Sequence, residues 1–322
     1  MRCSLLTFTV APLSLVFLAL VAARSGEPAF ARVAPSTSAS AESKAAQTKA
    51  AQSKPSDTKS AELPALVSPT ELVSAQRGTL PIVIAAPHGG GAPIPGVERR
   101  TGPQDEKARA DFATEQDVRT AELAWIVAQR LTTELGAKPY VVVAQFHRRY
   151  ADANRSAEDG TECEAARREH AAYHRALRTC VDEVRSRFGS ALLVDLHGQS
   201  KEPDAIVRGT RNGRSVKLLV ARAGVPAITG KDGLFGFLES RGVRVLPANL
   251  AQPGELVKET LFAGGHTLAL YGSDTELGID AVQIEVGSTL REPDALWQTG
   301  DTLADAIAQF ARAQLGVAPV KR

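Results

Sequence analysis

The stretch Ala191–Ser200, ALLVDLHGQS, decides the fold of this chain. It opens with four apolar residues and runs into a histidine, a glycine and polar residues. A short apolar run of this kind is typical of a strand buried on both faces, as in a parallel sheet covered by helices. Open α/β sheets bind ligands outside the carboxyl ends of their strands, so His197 stands where a functional side chain is expected. Gly198 marks the point where we expect the chain to leave the sheet.

A second stretch, Leu80–Gly91 (LPIVIAAPHGGG), has the same design of an apolar strand followed by a histidine and glycines. Two histidines at strand ends, His88 and His197, indicate a shared metal site. The alternative is that both imidazoles only cap strand ends through hydrogen bonds.

Strand and helix patterns alternate around these two stretches. Apolar runs predict strands at Leu80–Ala86, Tyr140–Ala144 and from Ala191 onward, with helices over Thr114–Leu135 and Glu164–Arg187 between them. This alternation predicts an α/β fold of three layers, with a doubly wound sheet that is mostly parallel or mixed. Further along, we expect strands at Ala205–Arg208, Val243–Leu246, Thr267–Tyr271 and Ala281–Val286, and helices at Gly233–Ser240 and Thr302–Leu315.

The amino-terminal part differs in composition from the rest. Met1–Ala31 carries one early positive charge, a long apolar stretch and an Ala-x-Ala ending, which predicts a secretory signal peptide cleaved after Ala31. An uncleaved membrane anchor is the alternative. Residues 32–62 consist almost wholly of Ala, Ser, Thr, Lys and Pro, which predicts a disordered linker. We therefore expect an exported protein, periplasmic or secreted, whose catalytic domain spans residues 63–322.

Charge and cysteine content narrow the function further. The chain of 322 residues has a formal charge of +2, so it has no basic surplus with which to bind nucleic acid. After removal of the signal peptide, Cys163 and Cys180 remain, and an exported protein can form disulfides. If both stood in the helix Glu164–Arg187 they would be about 25 Å apart, so a disulfide requires Cys163 to fold back in the preceding loop.

A catalytic zinc site needs a third protein ligand beside the two histidines. Asp117 is the best candidate by position, near the start of the helix that follows the His88 loop. Its alternative role is that of an acidic residue in the first turn of a helix. Asp195 fits better as a group that supports His197 from the same strand than as a ligand.

A buried carboxylate and a polar loop complete the candidate site. Glu285 stands in the apolar run Ala281–Val286, where a charge is costly unless it is paired or functional. Beside a metal ion it would act as general base and then as general acid, whereas its alternative is a salt bridge to an arginine. The loop Arg148–Arg155 offers guanidinium groups that suit a carboxylate or an oxyanion, and Asn154 adds donors; such a loop is otherwise a solvated surface.

These features together resemble the N-formylglutamate amidohydrolase (deformylase) family, which is related to the zinc carboxypeptidases and aspartoacylases. The resemblance covers about Leu80–Gly287 and rests on short motifs that occur in the order of the family. They are Pro87-His88-Gly89-Gly90, Asp117-x-x-Thr120-x-x-Leu123-Ala124, His147-Arg148 with Asp152-x-Asn154-Arg155, Tyr173-His174, Asp195-Leu196-His197-Gly198, Gly264-Gly265 with Tyr271-Gly272, and Gln283-Ile284-Glu285.

The resemblance implies a phosphorylase/hydrolase-like fold and one zinc ion held by His88, Asp117 and His197. It implies that Glu285 activates water, and that Asn154 and Arg155, with Arg148 nearby, bind the substrate's carboxylate or polarise its carbonyl. Two departures stand out. The carboxypeptidases take two ligands from His-x-x-Glu, whereas the third residue after His88 is Gly91; Glu115 and Glu122 are the substitutes for Asp117.

The second departure is export, because a deformylase of histidine breakdown meets its substrate inside the cell. We therefore expect a zinc amidohydrolase that acts on a small molecule or short peptide bearing a carboxylate, with residues 200–214 helping to select it. The alternatives are an exported carboxypeptidase-like peptidase or cell-wall amidase, and a non-catalytic exported ligand-binding protein. No Gly-x-Ser-x-Gly motif is present, which argues against a serine hydrolase. A membrane partner is expected only if the amino-terminal segment stays uncleaved.

Overall fold

A mixed sheet runs through the middle of the structure, a computed structural model that describes residues 70–109, 112–250 and 254–318. Within these residues its strands are β1 (Val73–Gln76), β2 (Ile82–Ala86), β3 (Tyr140–Ala144), β4 (Leu192–Gln199), β5 (Ala205–Gly209), β6 (Arg244–Leu246) and β7 (Asp280–Gly287). They lie side by side in the order β1-β3-β2-β4-β7-β5-β6. The predicted signal peptide and linker fall outside the described residues.

The four central strands, β3, β2, β4 and β7, are parallel, whereas β1 and β5 each pair antiparallel with their inner neighbours. The sheet is therefore mixed, one of the two arrangements that the sequence predicts. Because β2, β4 and β7 are adjacent and parallel, their carboxyl ends meet at one edge of the sheet. His88 follows β2 at that edge, and His197 and Glu285 lie within the last three residues of β4 and β7.

Helices cover both faces of the sheet. They are α1 (Glu106–Arg109), α2 (Thr120–Leu135), α3 (Ala157–Gly160), α4 (Glu164–Arg187), α5 (Lys217–Ala223), α6 (Pro226–Thr229), α7 (Leu234–Ser240), α8 (His266–Tyr271) and α9 (Pro293–Gln314), with 3-10 turns at Arg214–Val216 and Thr289–Arg291. One core lies between the sheet and α2, α7 and α9, and a second between the sheet and α4 and α8. This is the predicted three-layer arrangement.

Alternation along the strands sends the functional side chains to one of these faces. In β4, Leu192, Val194 and Leu196 belong to the core beneath α2 and α9, and Leu193 belongs to the core beneath α4. Successive side chains of a strand point to opposite faces, so Asp195 and His197 project to the α4 side with Leu193. Glu285 of β7 follows the same rule, because it is directly opposite His197 in the register.

The helix after the His88 loop begins six residues later than the sequence predicts. It starts at Thr120 rather than Thr114, because Arg119 takes a left-handed conformation with φ 66° just before it. Asp117 therefore precedes the helix and is not part of its first turn. Val118, in the same segment before the helix, is 47% exposed.

Three other elements differ from their predictions. Thr267–Tyr271 is part of helix α8 and not a strand, and β4 continues past His197 to Gln199 instead of ending there. Helix α9 begins at Pro293, nine residues before the predicted start.

The two described cysteines are not joined. Cys163 is exposed at the amino-terminal cap of α4, and Cys180 is buried within the same helix. Cys163 does not fold back towards Cys180, so the condition for a disulfide is not met. None of the helices in residues 70–318 that the structure describes is long and apolar enough to cross a membrane.

Candidate metal centre

Three buried side chains converge at the carboxyl ends of β2 and β4. One potential ligand atom each from His88, Asp117 and His197 lies within 4.8 Å of the others. The Nδ1 atoms of His88 and His197 lie 3.4 and 3.1 Å from the same oxygen, Oδ2 of Asp117. Two imidazoles and a carboxylate are a ligand set that zinc accepts in catalytic sites. The three residues form a group that could hold a metal ion.

Backbone hydrogen bonds place Asp117 in this group. Its N–H donates to the carbonyl of His88 at 3.1 Å, which ties the segment before α2 to the end of β2. Its own carbonyl accepts from the hydroxyl of Thr120 at 2.8 Å. The N–H of Gly198 donates to Oδ2 of Asp117 at 3.1 Å. The carboxylate is thus fixed by the strand that carries His197.

Each imidazole is oriented by a second carboxylate at its other nitrogen. Nε2 of His88 lies 2.6 Å from Oδ1 of Asp152, and Nε2 of His197 lies 3.0 Å from Oδ2 of Asp195. In a neutral imidazole, an N–H donated from Nε2 leaves the lone pair of Nδ1 free to bind a metal ion. Carboxylate–imidazole pairs of this kind commonly orient histidines that bind metals.

The charges of the group favour a cation at its centre. Burial raises the pKa of Asp117, but the nearby His88 and His197 outweigh it and lower the pKa overall. Burial lowers the pKa of His197, yet Asp195 and Asp117 raise it well above its ordinary value. Asp152 is also held ionised, since His88 and Arg148 outweigh the effect of its burial on the pKa. The two buried carboxylates of Asp117 and Asp152 are thus stabilised by positive charge.

One buried atom of the group supports a metal ion directly. Nδ1 of His88 has no hydrogen-bond partner in the described part of the chain. A buried polar atom without a partner is costly unless an unseen water or ion satisfies it. The unpartnered nitrogen points towards Asp117, where the proposed ligands meet, so these residues fit a divalent ion.

Glu285 lies beside this group on the adjacent strand. It is opposite His197 in the β4–β7 register and is 6% exposed. Burial and the charges of Asp117 and Asp195 raise its pKa to about 7, despite the opposing effect of His197. Its Oε1 accepts from the amide of Gln283 at 2.8 Å, and Gln283 in turn accepts from the N–H of Gly265. The carboxyl group is therefore held in place and is able to exchange a proton near neutral pH.

The loop after β3 reaches the same edge. The Nη2 atom of Arg148 donates to Asp152 at 2.8 Å, and its Nη1 lies 3.6 Å from Asp117. The amide nitrogen of Asn154 lies 3.2 Å from Nε2 of His197, and its oxygen accepts from the N–H of Thr267. Arg148 and Asn154 thus lie against the candidate ligand group.

Arg155 has a different position. It lines a cavity of about 350 Å³ whose walls include Asp152 and Arg100 but none of the three candidate ligands. Its carbonyl accepts from Nε2 of His170 at 3.0 Å. A role for the Arg155 side chain at the reacting atoms remains a prediction. The substitutes for Asp117, Glu115 and Glu122, are both exposed and lie outside the converging group.

Two residues of this site were not given roles from the sequence. Asp152 and Gln283 stand in motifs that carry the family resemblance, but their contacts join positions that are distant along the chain or alternate along a strand. A role for Gln283 could have been predicted from the sequence, because it lies two residues before Glu285 and therefore on the same face of the strand. The signal for Asp152 was weaker, because a loop gives no period from which burial can be read.

Comparison with known proteins supports the fold. No protein-family profile and no curated protein matches the chain. Among solved structures, N-formylglutamate amidohydrolase from Ralstonia eutropha JMP134 superposes with a TM-score of 0.51 and 17% identity, covering 77% of this chain and 98% of that one. Succinylglutamate desuccinylase from Chromobacterium violaceum gives a TM-score of 0.32 at 13% identity, over 74% of this chain and 62% of that one. The latter likeness is too distant to support an argument. The chain has the α/β fold of an N-formylglutamate amidohydrolase, as the resemblance implies.

Proposed function

We propose that the chain is a zinc-dependent amidohydrolase that cleaves an N-formyl or N-acyl amino acid at the amide next to its carboxylate. The observation that carries the proposal is the buried His88–Asp117–His197 group, in which each imidazole is oriented by a further carboxylate. The fold shared with an N-formylglutamate amidohydrolase supports amide hydrolysis as the reaction class.

The chemistry divides between the ion and the protein. When bound, a zinc ion supplies Lewis acidity, which polarises a carbonyl and makes water more acidic. Glu285 accepts the proton of the attacking water and then gives it to the leaving amine, because a carboxyl group with a pKa of about 7 does both near neutral pH. Gln283 keeps this carboxyl group in place through its hydrogen bond to Oε1.

Positive and polar side chains bind the substrate in this proposal. The guanidinium of Arg148 is fixed beside Asp117 by its hydrogen bond to Asp152, and the amide of Asn154 adds a donor next to His197. Arg155 would bind the carboxylate of a longer substrate from the neighbouring cavity. A guanidinium suits a carboxylate because its N–H groups form two parallel hydrogen bonds.

Metal content and a substrate panel test the proposal. The purified protein should contain one zinc ion per chain, and His197→Ala should lose it while the surface variant Asp182→Asn keeps it. The zinc protein should hydrolyse N-formyl and N-acyl amino acids faster than short peptides. The reverse order would establish the peptidase alternative. A folded wild type without metal or hydrolysis would favour a ligand-binding protein.

Export is a separate part of the proposal. The composition of Met1–Ala31 supports cleavage after Ala31, which would place the enzyme in the periplasm or outside the cell. Mass spectrometry of the mature protein should find Arg32 at its amino terminus, and Ala31→Arg should abolish that cleavage. A wild-type protein that keeps Met1 and sediments with membranes would support the anchor alternative.

A further inference from the structure

A buried guanidinium joins the three segments that carry Asp117, His197 and Glu285. It belongs to Arg291, a residue that lies in the 3-10 turn after β7 and is 7% exposed. Its three nitrogens donate to three backbone carbonyls: Nε to Val286 at 3.0 Å, Nη2 to Gln199 at 3.4 Å, and Nη1 to Val118.

Each of the three acceptor carbonyls lies within two residues of a residue of the candidate site. Val118 directly follows Asp117, Val286 directly follows Glu285, and Gln199 is two residues after His197. The three segments are far apart in the sequence and come from a loop and two strands. A guanidinium is a rigid planar fork, so carbonyls that bind all three of its nitrogens are held at fixed distances from one another.

The glycine after His197 leaves room for the same guanidinium. A Cβ atom at Gly198 would lie 2.5 Å from Cζ of Arg291, closer than real Cβ atoms approach. The guanidinium therefore packs directly on the strand backbone beside His197. The N–H of this glycine donates to Asp117, so the backbone that Arg291 contacts is also the one that binds a candidate ligand.

The 3-10 turn that carries Arg291 and the segment before α2 donate hydrogen bonds to each other. Nη1 of Arg119 donates to the carbonyl of Arg291 at 3.2 Å, while Arg291 donates to Val118. Arg119 has a positive φ of 66°, a conformation that surrounding contacts must maintain in a residue with a Cβ atom. The bend that turns Asp117 away from α2 is thus fixed from both sides.

We propose that Arg291 is a positioning residue that sets the spacing of Asp117, His197 and Glu285 by binding the backbone next to each. This inference rests on the proposed function, because it assigns Arg291 to the assembly of that site. Loss of the guanidinium leaves three buried carbonyls without this partner and lets the segments move independently. A merely structural role would lower stability and leave zinc affinity and turnover unchanged.

The test compares Arg291→Ala and Arg291→Lys with a matched control. Arg178→Ala is that control, because Arg178 also donates to two backbone carbonyls, those of Leu270 and Leu277, away from the candidate ligands. Zinc Kd is measured on metal-free protein by competition with a chelator, and kcat, KM and Tm are measured on the zinc protein.

We expect Arg291→Ala to raise the zinc Kd and to lower kcat by about tenfold or more each, with a smaller change in KM. Guanidinium chloride at millimolar concentration should partly restore both in Arg291→Ala and in no other variant. Arg178→Ala should lose stability with zinc Kd and kcat within about twofold of wild type.

A variant that retains the arginine covers the case in which Arg291→Ala fails to fold. The Cβ atom of Gly198→Ala would displace the guanidinium of Arg291. As a single substitution it should therefore raise the zinc Kd, whereas combined with Arg291→Lys it should raise the Kd little further. Zinc Kd and kcat within twofold of wild type in the folded Arg291 variants, or an equal effect of Gly198→Ala in both backgrounds, would overturn the inference alone. A wild type that neither binds zinc nor hydrolyses an amide would overturn it together with the proposed function.

Discussion

Asp152 orients His88 so that its Nδ1 faces Asp117. Nε2 of His88 lies 2.6 Å from Oδ1 of Asp152, and the guanidinium of Arg148 donates to the other oxygen of the Asp152 carboxylate. We predict that Asp152→Asn raises the zinc Kd by about 10- to 100-fold, because the amide no longer fixes the tautomer of His88. Chelator competition on the folded protein measures it, with Asp182→Asn as a surface control. An unchanged Kd would show that the carboxylate only pairs with Arg148.

Glu285 has a different expected role from Asp152. It should transfer protons during the reaction and should not affect zinc binding. Glu285→Gln keeps the size of the side chain and its hydrogen bond from Gln283, but it removes the proton acceptor. We predict a fall in kcat of about 100-fold or more with zinc content unchanged. Equal loss of zinc and activity would instead make Glu285 a ligand.

The pKa of Glu285 also predicts the acid side of the pH profile. Activity needs the ionised carboxylate, so kcat/KM should fall as the pH drops below the pKa of Glu285, which is about 7 when no cation is bound. A bound cation would lower this pKa and move the fall to lower pH. Rates of wild type and Glu285→Gln across pH 4 to 8 measure it, since the residual activity of the variant should lack this titration.

The types of residue and their places in the apolar pattern predicted part of the candidate site. His88, His197 and Glu285 are recognisable because each polar side chain interrupts or ends an apolar run. Asp117 lies with the two histidines, although it precedes α2 and is not part of that helix. Arg291 gives no signal in the sequence, because a guanidinium that binds backbone carbonyls leaves no pattern in the side chains it serves.

Elements were predicted where the apolar pattern was long or continuous. Helix α4 and strands β2, β3 and β7 match their predictions to within two residues at each end. Helix α8 was mistaken for a strand, because a short apolar run fits both periods. Helix α9 begins earlier than predicted because Gly300 does not end it: a Cβ there would lie 2.4 Å from Ile126, so the glycine permits close packing against α2.

Helix α4 carries a histidine that couples stability to pH. Burial, together with His170 and His266, lowers the pKa of His174 to about 3. The unfolded chain therefore binds this proton at a higher pH than the folded one, and the contribution of His174 to stability is lost as the pH falls from about 6.5 towards 3. His174→Gln cannot take up the proton, so its Tm should fall less steeply than that of wild type between pH 7 and 4. Parallel curves would contradict this.

Zinc should stabilise the whole domain, because its candidate ligands join the end of β2, the segment before α2 and strand β4. Binding to the folded state alone adds about 2.7 kcal/mol to the free energy of unfolding when free zinc is about 100 times its Kd. For a domain of this size, that should raise Tm by about 5–10 °C. Differential scanning fluorimetry with zinc and with a chelator measures the shift, and His197→Ala should abolish it. A wild-type Tm that chelation does not change would mean that these three segments are held without a metal ion, and that the buried carboxylates are balanced by the imidazolium and guanidinium groups alone.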